Sequence, residues 1–239
     1  MTVTFLHSFI SCEDSFSQIF SGLKLGVQSS IDLCAAEMEA KIKKQIKSIE
    51  LKEFVITCCP SPMNQYSARY VSVLVAKKLG IPFICLQRKL PQKAKNYNYY
   101  YSMGESGRTK LLRESLICPK RKFKGKKVIL IDDAYSTGAA IKSSAKILRE
   151  NGAAKVFSFV YLKLPKRRVG IEAEVAECLF AKHGLNFLIS IANNKNNRLA
   201  PRFLFIVFNL PRDQLNILLN SINADRKHNL LRGLKKYAR

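Results

Sequence analysis

The chain has 239 residues, 47% of them hydrophobic, which is enough to bury a full globular core and excludes a disordered or fibrous protein. Its seven cysteines include no C-x-x-C pair, so zinc-finger spacing is excluded and free thiols in a reducing compartment are favoured. A net charge of +24 predicts a polyanionic ligand or partner.

The sequence gives no sign of a signal peptide or a membrane span. Apolar residues 5–10 are followed by Glu13 and Asp14, and the longest apolar run elsewhere, residues 203–208, is too short to cross a bilayer. We therefore expect a cytoplasmic protein that does not contact a membrane.

Residues 1–50 predict an N-terminal helical segment that serves as scaffold. Residues 3–10 are typical of a short strand or a helix start. A helix is expected from about residue 13 and a longer one from about 29 to 49, where apolar residues recur at roughly helical spacing.

Residues 54–86 predict a β-α-β unit. An apolar strand at residues 54–58 precedes a helix at about 64–79 and a second strand at 81–86. In the first turn, Pro60 and Pro62 cannot donate hydrogen bonds, so an anion there would be bound by the N–H groups of residues 61, 63 and 64 and the side chains of residues 61, 64 and 65. A merely stiff turn is the alternative, and the neighbouring cysteines 58 and 59 favour core packing over metal binding.

Residues 87–113 predict a long polar, basic loop that contains tyrosines 97, 99, 100 and 101. These tyrosines either stack on a base or form a hairpin strand. Residues 77–127 hold 15 basic side chains against two acidic ones, a surplus that one small ligand hardly requires. Nucleic acid is therefore a candidate partner beside a small anion.

Residues 128–140 read V-I-L-I-D-D-A-Y-S-T-G-A-A and carry the clearest chemistry in the chain. Four apolar residues predict a strand buried on both faces, and a helix follows the Ser-Thr-Gly turn. The backbone N–H groups of a helix start bind phosphate, whereas Asp132 and Asp133 suit sugar hydroxyls or Mg²⁺. The stretch therefore suits a ribose 5-phosphate.

Residues 128–140 also resemble the phosphoribosyl-pyrophosphate (PRPP) signature of type I phosphoribosyltransferases, four hydrophobic residues before two acids and a Thr-Gly turn. The match falls on Asp132, Asp133, Thr137 and Gly138, while Ala140 departs from the usual Thr. The Pro-x-Pro at residues 60–62 resembles the ComF-type branch, although the N-terminal zinc motif of ComF-type proteins is absent from this sequence.

The resemblance implies roles for individual residues. Asp132 and Asp133 would contact the ribose hydroxyls as the catalytic pair. The implied 5′-phosphate loop is Tyr135, Ser136, Thr137, Gly138, Ala139 and Ala140. The implied pyrophosphate contacts are Ser61, Met63 and Asn64. The implied flexible flap over PRPP includes Lys93, Lys95, Tyr97, Arg108 and Lys110.

The fold implied is the α/β type I phosphoribosyltransferase fold, a mostly parallel sheet flanked by helices, with a hood built from N- and C-terminal segments. Residues 51–164 would form the core and residues 165–239 an α/β or helical appendage. Within this appendage, strands are expected at residues 187–192 and 203–208, and helices at the three remaining apolar-periodic segments, residues 170–183, 212–222 and 225–237.

The function implied is a pentosyl glycosyltransferase of nucleotide metabolism that moves ribose 5-phosphate from PRPP to a nitrogenous base and releases pyrophosphate. Mg²⁺ would be held mainly through PRPP, assisted by Asp132 and Asp133. The alternative is a non-catalytic PRPP or nucleotide sensor that binds nucleic acid through its basic surface. Ala140 and the surplus charge favour the sensor, whereas the intact acid pair and Thr-Gly turn favour the enzyme. The sequence does not decide between a monomer and a homodimer.

Overall fold

The structure is a computed structural model, and it describes residues 2–46, 48–61, 67–89, 91, 105–119, 121–165 and 171–237. The chain divides into two compact units. The first unit comprises Met1–Ser8 and Cys34–Arg168, and the second comprises Phe9–Leu33 and Val169–Arg239. Residues 1–8 belong to the first unit because the first strand of the chain joins its sheet.

The first unit is built on a four-stranded sheet in which every pair of neighbours is parallel. The strands, in spatial order, are β1 (Val3–Ser8), β6 (Lys155–Lys163), β5 (Lys127–Tyr135) and β2 (Phe54–Cys58). The predicted central parallel sheet is therefore confirmed. Residues 3–8 form a strand, which was one of the two structures predicted for residues 3–10.

Helices cover the faces of this sheet. After β2, the first unit contains the helices α3 (Ser67–Leu79), α4 (Glu105–Ser115) and α5 (Ala139–Glu150). It also contains two short strands that pair antiparallel, β3 (Gln87–Arg88) and β4 (Leu116–Ile117). Every residue of β2 is buried, as are Val128 to Ile131 of β5. Continuous apolar runs are expected where both faces of a parallel sheet are covered, which explains why these two strands lack polar alternation.

Two predictions for residues 81–113 were wrong in part. In place of a second strand at residues 81–86, Phe83 makes an isolated bridge to Ile56, because Pro82 supplies no N–H to continue a ladder. The predicted long loop also contains regular structure, since β3 lies at its start and α4 at its end. Residues 92–104, with the four tyrosines, lie outside the described residues.

The second unit is helical in its described part. Its elements are α1 (Ser15–Leu25), the first residues of α2 (Gln28–Gln45), α6 (Ile171–Asn193), α7 (Pro201–Phe208), α8 (Arg212–Ser221) and α9 (Ala224–Tyr237). Leu188, Phe203, Val207, Leu218 and Leu230 form its buried core. The unit draws on segments from both ends of the chain.

The strands predicted at residues 187–192 and 203–208 were wrong, because both segments are helical. Short apolar runs fit a buried strand and a buried helix equally well, so composition alone does not separate the two. A local signal for the helix was present at Pro201, which occupies the first turn of α7, where a missing N–H costs nothing.

Within the described part of the chain, Glu174–Asn193 is a stretch long and apolar enough to cross a membrane, and 33% of its apolar window is buried. Gly184 interrupts this stretch with φ 62° and ψ −153°, which divides α6 into two helices across a kink. Each part is shorter than the about 20 residues that a spanning helix requires. The stretch is therefore weak support for a membrane span.

Candidate functional site

Two adjacent carboxylates, Asp132 and Asp133, lie near the carboxyl end of β5 with about 8% of their surface exposed. Neighbouring residues in a strand point to opposite faces, so the two side chains face different helical layers. The contacts of the two carboxylates are consistent with this arrangement. Asp133 contacts Ser67 of α3, whereas Asp132 contacts Cys59, which packs in the core beneath α5.

The Ser67 hydroxyl donates a hydrogen bond to Oδ2 of Asp133. Ser67 is the first residue of α3 and only 5% exposed, so its rotamer is fixed by packing. A hydroxyl donor stabilises the ionised carboxylate and orients it. Ser67 lies within the helix predicted at residues 64–79, and nothing local indicates its role, because a contact across 66 residues leaves no pattern in the sequence.

Asp132 is held by two donors. Its Oδ1 accepts the backbone N–H of Asp133 at 3.0 Å, and the Cys59 thiol hydrogen-bonds with its carboxylate. Burial first, and then the charge of Asp132, raises the pKa of Cys59 well above its usual value. Cys59 therefore stays a neutral thiol, which can donate to Asp132.

Burial also raises the pKa of Cys58, and both thiols are at least 96% buried, which confirms core packing. Among the described residues, no group of three or more His, Cys, Asp and Glu side chains could hold a metal ion.

We expect iodoacetamide at about pH 8 to leave Cys58 and Cys59 unlabelled in the native protein, because a buried protonated thiol is a poor nucleophile. Peptide mass spectrometry before and after denaturation checks this, with half-buried Cys85 as the comparison. Native labelling of Cys58 or Cys59 as fast as that of Cys85 would contradict it.

The turn after β5 is shaped by Gly138, which has φ +77° in the left-handed region. A Cβ on Gly138 would lie 2.5 Å from both Cζ and the hydroxyl oxygen of Tyr135. The aromatic ring is itself fixed by an edge contact with Phe5, with ring centroids 5.0 Å apart. The turn therefore requires glycine both for its backbone and for the ring that packs on it.

Helix α5 begins directly after this turn and has no side-chain cap at Gly138. Thr137 Oγ1 accepts the Ala139 N–H at 3.3 Å, and the first turn of α5 contains no acidic residue. The N–H groups of a helix start and its positive dipole end attract an anion. The structure thus brings the predicted phosphate turn and the predicted acid pair to the same edge of the sheet.

Ser61 of the predicted pyrophosphate loop also lies at this edge. Strand β2 pairs with β5 so that Cys58 is opposite Ile131, the Cys59 N–H donates to the Ile131 carbonyl at 2.9 Å, and Ser61 follows two residues later. Ser61 is half-buried. Met63 and Asn64, the other two predicted pyrophosphate contacts, lie outside the described residues.

Three of the predicted flap residues, Lys93, Lys95 and Tyr97, lie outside the described residues, as does the side chain of Arg108. Lys110 is exposed on α4 and lines a depression of about 1040 Å³. Arg113 and Glu114 line the same depression. Lys110 therefore belongs to a helix, not to the expected loop, because its neighbours from residue 105 onward continue a helical turn.

The fold and site define an α/β protein with a parallel sheet and an acid pair, a hydroxyl-rich turn and a helix start at the carboxyl edge. No family model matches the chain. Over 101 residues it is 32% identical to an adenine phosphoribosyltransferase of Pseudoalteromonas translucida. The match covers 41% of this chain and 51% of the relative, so the chain spans about half the length of that protein.

Solved structures with similarity to the chain carry related names. An adenine phosphoribosyltransferase from Leishmania tarentolae is 12% identical with a TM-score of 0.42, over 69% of this chain and 94% of that one. An adenine phosphoribosyltransferase from Thermoanaerobacter pseudethanolicus is 17% identical with a TM-score of 0.38, over 59% of this chain and 83% of that one. These are distant likenesses.

Proposed function

We propose that the protein is a phosphoribosyltransferase that binds PRPP with Mg²⁺ and transfers ribose 5-phosphate to a nitrogenous base, with release of pyrophosphate. One observation carries the proposal: a buried acid pair and a Thr-Gly turn lie in succession between a parallel strand and an uncapped helix start. The likeness to an adenine phosphoribosyltransferase supports the same class of reaction.

In this proposal the acid pair binds the ribose of PRPP. An ionised carboxylate accepts hydrogen bonds on both of its oxygens, and the ribose 2′- and 3′-hydroxyls are donors of the matching kind. Ser67 fixes the carboxylate of Asp133 and the Asp133 N–H fixes that of Asp132, so both acceptors are preorganised near the carboxyl end of β5.

The 5′-phosphate is assigned to the turn and helix start that follow the acid pair. The hydroxyls of Ser136 and Thr137 and the backbone N–H groups of Gly138 and Ala140 are the proposed donors, while the Ala139 N–H donates to Thr137 Oγ1. Ala140 contributes a backbone N–H but no hydroxyl, so this loop has one side-chain donor fewer than the signature that it resembles.

The acid pair also fits Mg²⁺. Carboxylate oxygens are hard donors of the kind that this ion prefers, and two of them leave most of an octahedral shell to other ligands. We propose that Asp132 and Asp133 assist in holding the ion and that PRPP supplies most of its oxygens. When bound, the ion neutralises charge on the departing pyrophosphate.

In the transfer, the bond from ribose C1 to pyrophosphate breaks, a bond from C1 to the acceptor nitrogen forms, and that nitrogen loses its proton. No covalent intermediate with the protein is needed, so its residues act by positioning and by neutralising charge. Asp132 and Asp133 orient the sugar, and the start of α5 fixes the phosphate end. Tethering both ends of the substrate fixes the direction from which the acceptor approaches C1.

Calorimetric titration with PRPP and Mg²⁺ tests the proposal, at a salt concentration that screens nonspecific attraction to the basic surface. Saturable one-site binding is expected, followed by pyrophosphate release when the correct purine or pyrimidine base is added. Absence of PRPP binding would reject the proposed site.

A non-catalytic PRPP or nucleotide sensor is the second candidate, and Ala140 in the first turn of α5 favours it. The same titration followed by a base screen separates the two candidates. Saturable PRPP binding with no pyrophosphate release from any common nucleobase selects the sensor.

Ser67→Ala is expected to weaken PRPP binding about fivefold to tenfold, because Asp133 loses the donor that orients it. The matched control is Ser72→Ala, on the same helix, where the buried hydroxyl donates to the carbonyl of Ala68 at 2.7 Å. Titration of both variants with PRPP checks the prediction. Equal losses in the two variants would show that Ser67 acts through the packing of α3 alone.

A further inference from the structure

A second charged surface lies at the opposite edge of the sheet from the acid pair. Lys127 begins β5 and Lys155 begins β6, so both mark the amino edge. Five residues separate Lys127 from Asp132, about 16 Å at about 3.3 Å per residue of strand. This exceeds the Debye length of about 8 Å at physiological salt, so these cations contribute little to binding at the acid pair.

We use the name basic platform for six exposed cations at this edge. They are Arg121, Lys122, Lys124, Lys126, Arg149 and Lys155. The first four belong to the turn before β5, Arg149 lies in the last turn of α5, and Lys155 lies at the start of the neighbouring strand. Three elements of the first unit therefore present positive charge on one edge.

The backbone beneath the basic platform is fixed by two joined turns. The Gly125 N–H donates to the Gly152 carbonyl at 2.8 Å, and the Ala154 N–H donates to the Lys126 carbonyl at 2.9 Å. Phe123, which is 0% exposed, anchors the first turn in the core of the sheet. The cations thus project from a preorganised surface, which reduces the conformational entropy that binding would cost.

Two described acids near the basic platform contact other lysines. Glu53 pairs with Lys127 at 2.7 Å and Glu150 lies 3.8 Å from Lys146, and both lysines are outside the platform. Among the described residues, no ion pair involves a platform cation. Lys155 instead lies over the Phe157 ring, with its nitrogen 4.7 Å from the ring centroid. Unpaired like charges repel one another, so this edge is poised for a polyanion.

We propose that the basic platform binds the phosphate backbone of nucleic acid. Its cations lie on exposed turns and a helix end, which suits an extended chain of phosphates better than a small buried anion. Four of the six cations are lysines, point charges that contact phosphates without reading bases. The inference stands apart from phosphoribosyl transfer, since it uses none of the residues at the acid pair.

The test is fluorescence anisotropy of a labelled mixed-sequence DNA duplex, titrated at several salt concentrations, with single-stranded DNA and RNA as parallel probes. The variant Lys122→Ala/Lys124→Ala/Lys126→Ala is expected to bind about tenfold or more weakly. Its plot of log affinity against log salt should flatten by about two to three, near 0.9 per lost duplex contact. PRPP binding should stay at the wild-type value.

The matched control is Lys182→Ala/Lys195→Ala/Lys235→Ala, which removes the same charge from three exposed lysines of the second unit. This control is expected to keep the wild-type salt slope, and replacing the three platform lysines with arginine should restore binding. Equal loss in the two alanine variants would overturn the proposal, because net charge alone would then explain the binding. Failure of the wild type to bind any of the three probes while it sediments with phosphatidylglycerol vesicles would overturn it in favour of a lipid surface.

Discussion

The double variant Asp132→Asn/Asp133→Asn is expected to lose PRPP affinity by at least about a hundredfold. Hydrogen bonds to a charged group contribute about 1.5–3 kcal/mol each, and every 1.4 kcal/mol is about tenfold in affinity. An asparagine also presents an NH₂ donor where the ribose hydroxyl needs an acceptor, so part of each site becomes repulsive.

Calorimetric titration with PRPP and Mg²⁺ measures this loss, and the two single variants separate the contributions of the two sheet faces. Asp213→Asn, at an exposed position in the first turn of α8, is the matched control and should bind as the wild type does. Thermal unfolding followed by circular dichroism establishes that the variants are folded. Folded double variants that still bind PRPP at wild-type affinity would remove the acid pair from the proposed site.

The nucleic-acid experiment then distinguishes the two binding surfaces. The acid-pair variants should keep their affinity for the DNA duplex, because about 16 Å of strand separates the pair from the amino edge. The basic platform variants should show the reverse pattern. If only one of these two patterns is observed, the proposal for the other surface is contradicted, and the proposal for the first surface still stands.

Much of the central sheet could be predicted because its information is local. The apolar run of β5, the acids at its end and the glycine after them lie within eleven consecutive residues, and each constrains the next. A buried strand fixes where the acids emerge, and a turn with positive φ fixes where α5 begins. The same reasoning located β2 to within a residue.

What could not be predicted depends on contacts between distant parts of the chain. Ser67 meets Asp133 across 66 residues, and β1 joins the sheet by pairing with β6 more than 150 residues later. The apolar run at Phe203 to Phe208 became a helix because helices of the second unit surround it. No pattern within these segments specifies which distant residues they contact. The tertiary packing of each segment therefore determines whether it forms a helix or a strand.

Gly138 allows the shape of the predicted phosphate turn to be tested. Gly138→Ala is expected to destabilise the first unit by about 2–4 kcal/mol, from two separable costs. Positive φ costs an alanine about 1 kcal/mol, and the new methyl group would lie 2.5 Å from the Tyr135 ring, an overpacking cost of about 1–3 kcal/mol. The turn would have to move, so PRPP affinity should fall as well.

Gly80→Ala is the matched control, because Gly80 has φ +66° but no described atom within 4 Å of its would-be Cβ. Urea unfolding of both variants isolates the steric cost as their difference in the free energy of unfolding. In a Tyr135→Ala background, the cost of Gly138→Ala should fall to that of Gly80→Ala, since the clashing ring is gone. If the two glycine variants cost the same in the wild-type background, Tyr135 does not pack on the turn, and the shape assigned to the 5′-phosphate loop is wrong.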